Sequence, residues 1–93
     1  MAKIADIIRA EFEKYAVSNN QKPDVRYLSS TIITKYVKEL ANRESVFSVV
    51  DEEVLMKIYQ LVLIDKDNQS GHHNYSSALL HYRKFLSLKI NNK

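Results

Sequence analysis

The amino-acid sequence predicts an all-α protein, a compact orthogonal bundle of four helices in one domain over residues 1–93. Its 93 residues, 45% of them hydrophobic and 27% charged, have the size and composition of a single globular domain. The chain contains one Gly and one Pro, too few for the many tight turns of a small β-sandwich or barrel. Four segments instead repeat apolar residues with the period of a helix, and connections of about 7 to 12 residues between them favour an orthogonal over an up-down bundle.

The first predicted helix spans about 4–17 and the second about 29–43. Both carry apolar stripes at helical offsets, Ile4, Ile7, Ile8, Phe12 and Tyr15 in the first and Ile32, Ile33, Tyr36, Val37 and Leu40 in the second. Because the polar residues that follow the first stripe, and then Pro23, cannot continue a helix, we expect a long loop there. Ser29 or Ser30 then caps the second helix.

The third predicted helix spans about 52–64. Asp51 is its expected N-cap, because the carboxylate can accept a hydrogen bond from the backbone N–H of Glu53 or Val54. The β-branched segment 46–50 before it is predicted as a short extended piece with no partner strand.

The fourth predicted helix spans about 75–90. It follows the polar segment 65–74, which holds the only Gly and is predicted as a loop. Asn74 or Ser76 is the expected cap.

Several classes of protein are excluded or disfavoured by what the chain lacks. It has no cysteine, which removes disulfides, thiolate zinc sites and cysteine nucleophiles. The longest uncharged apolar run, 61–64, is far shorter than the roughly 20 residues of a membrane span, and the amino terminus lacks the apolar stretch of a signal peptide. We therefore expect a soluble cytoplasmic protein.

The net charge of +3 is unevenly distributed. Residues 1–67 hold ten basic and eleven acidic residues, a net charge of −1, whereas residues 68–93 hold four basic residues and no acid, a net charge of +4. The last segment also contains all three histidines. This distribution favours an anionic partner near the fourth helix.

The outer face of the second predicted helix lacks carboxylates. That face consists of Thr31, Thr34, Lys35, Lys38 and Asn42. Lys supplies charge to phosphates, Thr and Asn can hydrogen-bond to phosphate oxygens, and Asn can also read an adenine edge. The alternative is an ordinary solvated helix face.

The outer side of the fourth predicted helix combines cations with leucines. His81, Arg83 and Lys84 lie on or beside it, and Leu80 and Leu88 project to the same side. Either this helix is buried on two sides, or the two leucines meet a partner.

An enzymatic role is not supported by any arrangement of residues. Five possible metal ligands occur close together in sequence, but their spacing matches no established metal site; they are Asp65, Asp67, His72, His73 and His81. One Gly cannot form a phosphate-binding loop. Five of the six tyrosines lie on or beside apolar stripes and are expected to pack, with Tyr27 the only one clearly off a helix. We expect no catalytic residue, no metal and no cofactor.

The second and fourth predicted helices resemble a known family. The run 30–40, Ser-Thr-Ile-Ile-Thr-Lys-Tyr-Val-Lys-Glu-Leu, is similar to the second helix of the core-binding domain of phage-integrase-type tyrosine recombinases. The run 75–86, with Ser-Ala-Leu before a basic residue and an aromatic-Leu end, resembles that domain's closing helix, and also helical modules of restriction-type proteins. The resemblance covers 12–86, but the connection 17–28 is longer than in the family, and the catalytic domain is absent.

The resemblance implies a SAM-like fold of prokaryotic or phage origin that binds double-stranded DNA, with the second and fourth helices approaching the major groove. By position, the DNA contacts fall on Thr31, Lys35, Lys38, His81, Arg83 and Lys84, to which the outer face of the second helix adds Asn42. The first hypothesis is therefore a non-catalytic DNA-binding module. The alternative is a protein-interaction or oligomerisation module, such as a small adaptor or phage-type inhibitor, that buries Leu80 and Leu88.

Overall fold

The computed structural model describes residues 4–70 and 73–91, and it confirms the all-α class. Four long helices correspond to the four predicted ones: α1 (Ile4–Ser18), α3 (Thr31–Ala41), α4 (Glu52–Leu63) and α6 (Asn74–Asn91). Two short helices, α2 (Asp24–Leu28) and α5 (Lys66–Ser70), and a 3-10 helix (Val46–Ser48) lie between them. The described residues contain no β-strand, and no helix among them is both long enough and apolar enough to cross a bilayer.

Two segments predicted as loops contain helices, so the count of four was too low. Pro23 was expected to lie in a loop. It occupies instead the N-cap position of α2 with a φ of −61°, a value that suits the start of a helix. Asp65 precedes α5, and its carboxylate caps this helix by accepting a hydrogen bond from the backbone N–H of Asp67 at 2.8 Å. Each of these helices has five residues, too few to show a helical period.

The segment predicted as extended, 46–50, begins with the 3-10 helix. The Ser45 side chain accepts a hydrogen bond from the Phe47 backbone N–H, which holds the first turn. Val46 and Phe47 are both buried, so this turn is part of the core.

The predicted capping residue is confirmed for α4 but not for α6. Asp51 accepts from the Glu53 N–H at 2.9 Å, as predicted. At the start of α6, the Ser76 N–H donates to the side-chain oxygen of Asn68 in α5 at 3.0 Å, and the Asn68 amide donates to the Ser76 hydroxyl at 3.1 Å. The capping group of α6 therefore comes from another helix rather than from the predicted Asn74 or Ser76.

The core takes buried side chains from α1, α2, α3, the 3-10 helix, α4 and α6. Phe12 lies at its centre and is in ring contact with Phe47, Tyr82 and Phe85. The helix α6 packs mainly against α2 and α4, and α3 packs mainly against α4.

The tyrosines pack as predicted, with one correction. Tyr82 is fully buried, and Tyr15, Tyr36, Tyr59 and Tyr75 are partly buried against the core. Tyr27, predicted to lie off any helix, belongs to α2 and packs edge to face on the Tyr75 ring.

Candidate nucleic-acid interface

The outer face of α3 is positioned by the burial of the opposite side of the helix. Ile33 and Val37 are fully buried, and this fixes the rotation of α3 about its axis. Three of the predicted contact residues, Thr31, Lys35 and Lys38, are consequently exposed. They are spaced by four and three residues, so they form one row along the helix.

Asn42 lies beyond the end of this row. It is the C-cap of α3, in the left-handed region with a φ of 54°, and its backbone N–H donates to the Lys38 carbonyl. Together with the half-buried Thr34, it lines a cleft between α3 and the start of α1. Asn42 is exposed, as predicted, but the structure divides the predicted face into the row Thr31, Lys35 and Lys38 and a cleft that Thr34 and Asn42 line.

The charges near the row are not all positive. The Lys35 ammonium lies 5.1 Å from the centroid of the Tyr36 ring, a cation–π distance. The Tyr36 hydroxyl donates to Asp65, and that hydrogen bond is the main reason why the pKa of Asp65 is below its usual range, with Lys35 adding a smaller attraction. Asp65 therefore weakens the positive field beside Lys35. Two further carboxylates lie near the row, because the exposed Glu39 follows Lys38 on α3 and Asp67 lines the cleft beside Thr31.

The amino-terminal end of α3 is open to a ligand. Ser30 is its N-cap but makes no side-chain capping bond, and its hydroxyl oxygen is buried without a partner among the described residues. Arg26 and Thr31 line the shallow cleft at this end, together with Asp67 of α5. Because a helix N-terminus carries partial positive charge, this end suits a phosphate better than a cation.

Arg26 is a candidate contact that sequence reasoning missed. It lies in α2, which was predicted as loop, and its guanidinium carbon lies 5.5 Å from the centroid of the Tyr27 ring. Within the described part of the chain it has no ion-pair partner. The only available signal was a basic residue five positions before Thr31.

His81 is engaged inside the protein. Its Nδ1 atom lies 2.5 Å from Oδ2 of Asp24, a carboxylate in α2 that is 7% exposed. The Gln21 amide nitrogen lies 3.3 Å from the other ring nitrogen. His81 thus joins α6 to α2, and a nucleic acid would have to compete with these contacts.

Arg83 and Lys84 differ in their availability. Arg83 donates to the carboxylate of Glu52, at the start of α4, from two of its nitrogens. Lys84 is exposed and has no ion-pair partner among the described residues. Leu80 and Leu88, one turn before and after Lys84, are 40% and 50% exposed. This side of α6 is therefore a leucine–lysine–leucine row with one free cation.

The metal ligands considered from the sequence do not form a site in the part of the structure that is described. Residues 4–70 and 73–91 contain no group of three His, Asp or Glu side chains arranged to hold an ion. His72 lies outside the described residues.

Comparisons of the chain with protein-family models, with curated proteins and with solved structures find no match. A functional assignment therefore depends on the geometry of this chain's own residues.

Proposed function

We propose that the protein is a non-catalytic helical module that binds double-stranded DNA through α3. The observation that carries the proposal is the exposed row Thr31, Lys35 and Lys38, which contains no carboxylate and begins at the uncapped end of α3 beside Arg26. The resemblance to the recombinase core-binding domain supports the same helix. The proposal includes a SAM-like fold and a prokaryotic or phage origin for this protein, as the resemblance implies.

The chemistry of the row suits a duplex. Arg26 and the free N–H groups at the start of α3 would bind phosphate oxygens, as helix N-termini do in many DNA complexes. Lys35 and Lys38 would follow the strand along the next two turns, and the Thr31 hydroxyl can donate to a phosphate or a base edge. On α6, Lys84 is available without rearrangement, whereas Arg83 and His81 must first leave Glu52 and Asp24.

A pair of charge-matched variants tests the role of α3. Lys35→Gln/Lys38→Gln should weaken binding to a DNA duplex and reduce the slope of log affinity against log salt by about 1.8, because each lost phosphate contact removes about 0.9. The control Lys14→Gln/Lys57→Gln removes the same charge from exposed positions on α1 and α4. Fluorescence anisotropy at several salt concentrations measures both. Equal losses in the two variants would contradict a specific role for α3.

A second candidate function is the binding of a partner protein through the row Leu80, Lys84 and Leu88. The exposure of both leucines favours it. Lys84, which lies between them and has no acidic partner among the described residues, indicates an acidic amphipathic helix as the partner. A second copy of the same face would place lysine against lysine, so a homodimer through this row is disfavoured.

The variant Leu80→Asp separates the two functions. It places a carboxylate in the exposed row without disturbing the core, so we expect DNA binding through α3 to persist while capture of an acidic helical peptide is lost. Isothermal titration with such a peptide measures the second effect. If the wild-type protein binds no acidic amphipathic peptide, the second candidate function fails.

A further inference from the structure

A cleft of about 700 Å³ runs beside α3, from Ser29 just before the helix to Asn42 and Arg43 at its carboxyl-terminal end. The start of α1 and the 3-10 helix form its other walls, and the buried side chains of Leu28 and Phe47 close it underneath. This volume is within the range of small-molecule sites, which is about 300 to 1,000 Å³.

Two arginines line the cleft from different parts of the chain. Arg9 belongs to α1 and Arg43 follows the end of α3, and both are exposed. Neither has an ion-pair or hydrogen-bond partner among the described residues. A guanidinium presents a planar fork of donors that matches phosphate oxygens, so two unpaired guanidiniums at one cleft favour a phosphate.

Two carboxylates, Asp6 and Glu44, line the same cleft and also lack ion-pair partners in the described part of the chain. They would repel a bare phosphate or the backbone of a DNA duplex. Carboxylates do accept hydrogen bonds from hydroxyl groups, and dinucleotide-binding proteins hold ribose in this way. The charge pattern therefore suits a ligand that carries both a phosphate and free hydroxyls.

Neutral polar side chains also line the cleft, and three of them, Ser29, Ser45 and Ser48, bond to nearby backbone groups. Asn42 and Thr34 both line the cleft, and neither side chain has a hydrogen-bond partner among the described residues. The left-handed backbone of Asn42 ends α3 at this point, and it thereby places Asn42 and Arg43 at the same cleft.

We propose that this cleft binds a phosphorylated sugar, either free or as the ribose phosphate of a ribonucleotide. Arg9 and Arg43 hold the phosphate, and Asp6 and Glu44 accept hydrogen bonds from the sugar hydroxyls. Asn42 adds an amide that can donate or accept. This site is separate from the exposed row of α3 and does not depend on DNA binding.

Nuclear magnetic resonance titration tests the proposal with four probes: ribose 5-phosphate, AMP, ribose and inorganic phosphate. Ribose 5-phosphate should shift the backbone amide signals of Thr34, Asn42 and Arg43 in a saturable way, and ribose and inorganic phosphate should bind at least about tenfold more weakly. Tighter binding of AMP than of ribose 5-phosphate would identify a nucleotide as the source of the sugar phosphate, and the reverse order a free sugar phosphate.

Arg9→Gln/Arg43→Gln should weaken the binding of ribose 5-phosphate by at least about tenfold, the effect of losing one charged hydrogen bond or more. Lys14→Gln/Lys57→Gln removes the same charge elsewhere and should leave binding unchanged. Unchanged signals of the buried residues would show that both variants are folded. The absence of saturable shifts with ribose 5-phosphate and AMP up to roughly 10 mM would overturn the proposal, as would equal affinity for inorganic phosphate or unaltered binding by the arginine variant.

Discussion

A hydrogen bond joins the middle of α3 to Asp65, the residue just before α5. The Tyr36 hydroxyl donates to Oδ2 of Asp65 at 2.5 Å, and the other oxygen of this carboxylate accepts from the Asp67 N–H at the start of α5. The bond to Asp65 and partial burial raise the pKa of Tyr36 to about 12, and the same bond lowers the pKa of Asp65. One carboxylate thus links α3 to the start of α5.

Tyr36→Phe should lower the free energy of unfolding by about 1 kcal/mol at pH 7, because the donor to Asp65 is lost. Since the pKa of Asp65 is lower in the folded than in the unfolded protein, its contribution is present above the unfolded pKa and disappears as the pH falls through the folded pKa. The difference between wild type and Tyr36→Phe should therefore shrink below about pH 4. Urea unfolding at pH 7 and pH 3 measures it, and a difference that grows on acidification would contradict this role for Asp65.

Contacts of this kind are not visible in a sequence. The apolar stripe correctly predicts that Tyr36 packs against the core, but its partner is 29 positions away. His81 presents the same difficulty, because its partner Asp24 is 57 positions away in a segment predicted as loop. Helical periodicity predicts which face of a helix a side chain occupies, but not which polar group from another element meets it.

At the scale of elements, Asn68 is the residue that docks the short helix α5 on α6. This side chain is fully buried, and both its oxygen and its nitrogen bond to Ser76 in the first turn of α6. The Ser76 hydroxyl donates in turn to the His73 carbonyl. A helix of five residues has little stability alone, so its docking on α6 holds it in place.

Asn68→Ala should lower the free energy of unfolding by about 1 to 3 kcal/mol, because it leaves the buried backbone N–H of Ser76 without a partner. Asn74→Ala is the matched control, since the sequence predicts Asn74 as the cap but the structure gives that role to Asn68. Asn74→Ala should lower the free energy of unfolding by less than about 0.5 kcal/mol. Thermal unfolding followed by circular dichroism compares them, and a larger loss in the control would mean that Asn74 caps α6 after all.

The long helices were predictable because each buries most of an apolar stripe, as Ile33 and Val37 do in α3, although Ile4, Ile7 and Leu40 of the predicted stripes are exposed. The short helices were not predicted, because Pro23 and Asp65 were assigned to loops although each stands at the start of a helix. This error also hid Arg26, the candidate contact on α2. The exposure of Thr31, Lys35, Lys38 and Asn42 was predicted correctly, but the cleft that Asn42 lines was not predicted.

At the scale of the whole molecule, one aromatic cluster connects elements from both ends of the chain. Phe12 and Phe85 lie 73 positions apart and their ring centroids are 5.4 Å apart. Tyr82 completes the cluster, and its hydroxyl donates to the Val49 carbonyl at 3.0 Å. Burial raises the pKa of Tyr82 strongly, so the neutral phenol is the form that the folded protein stabilises.

The folded arrangement also redistributes the charge that the sequence suggests. The acid-free last segment appeared to present a uniformly basic helix, but Arg83 is paired with Glu52 of α4 and Lys89 with Glu11 of α1. Among the described cations of α6, only Lys84 is without an acidic partner from the described residues. The surface that we propose for DNA is therefore α3 with Arg26, and α6 presents fewer free cations than its composition implies.

The central claim, that α3 binds duplex DNA, is tested most directly by the salt dependence of binding. Wild-type protein titrated with a DNA duplex by fluorescence anisotropy, at salt concentrations from about 50 to 200 mM, should give a linear plot of log affinity against log salt. Three phosphate contacts from Arg26, Lys35 and Lys38 predict a slope of about −2.7, and a fourth from Lys84 would bring it to about −3.6. Absence of binding at the lowest salt concentration, or an affinity that does not change with salt, would contradict the claim.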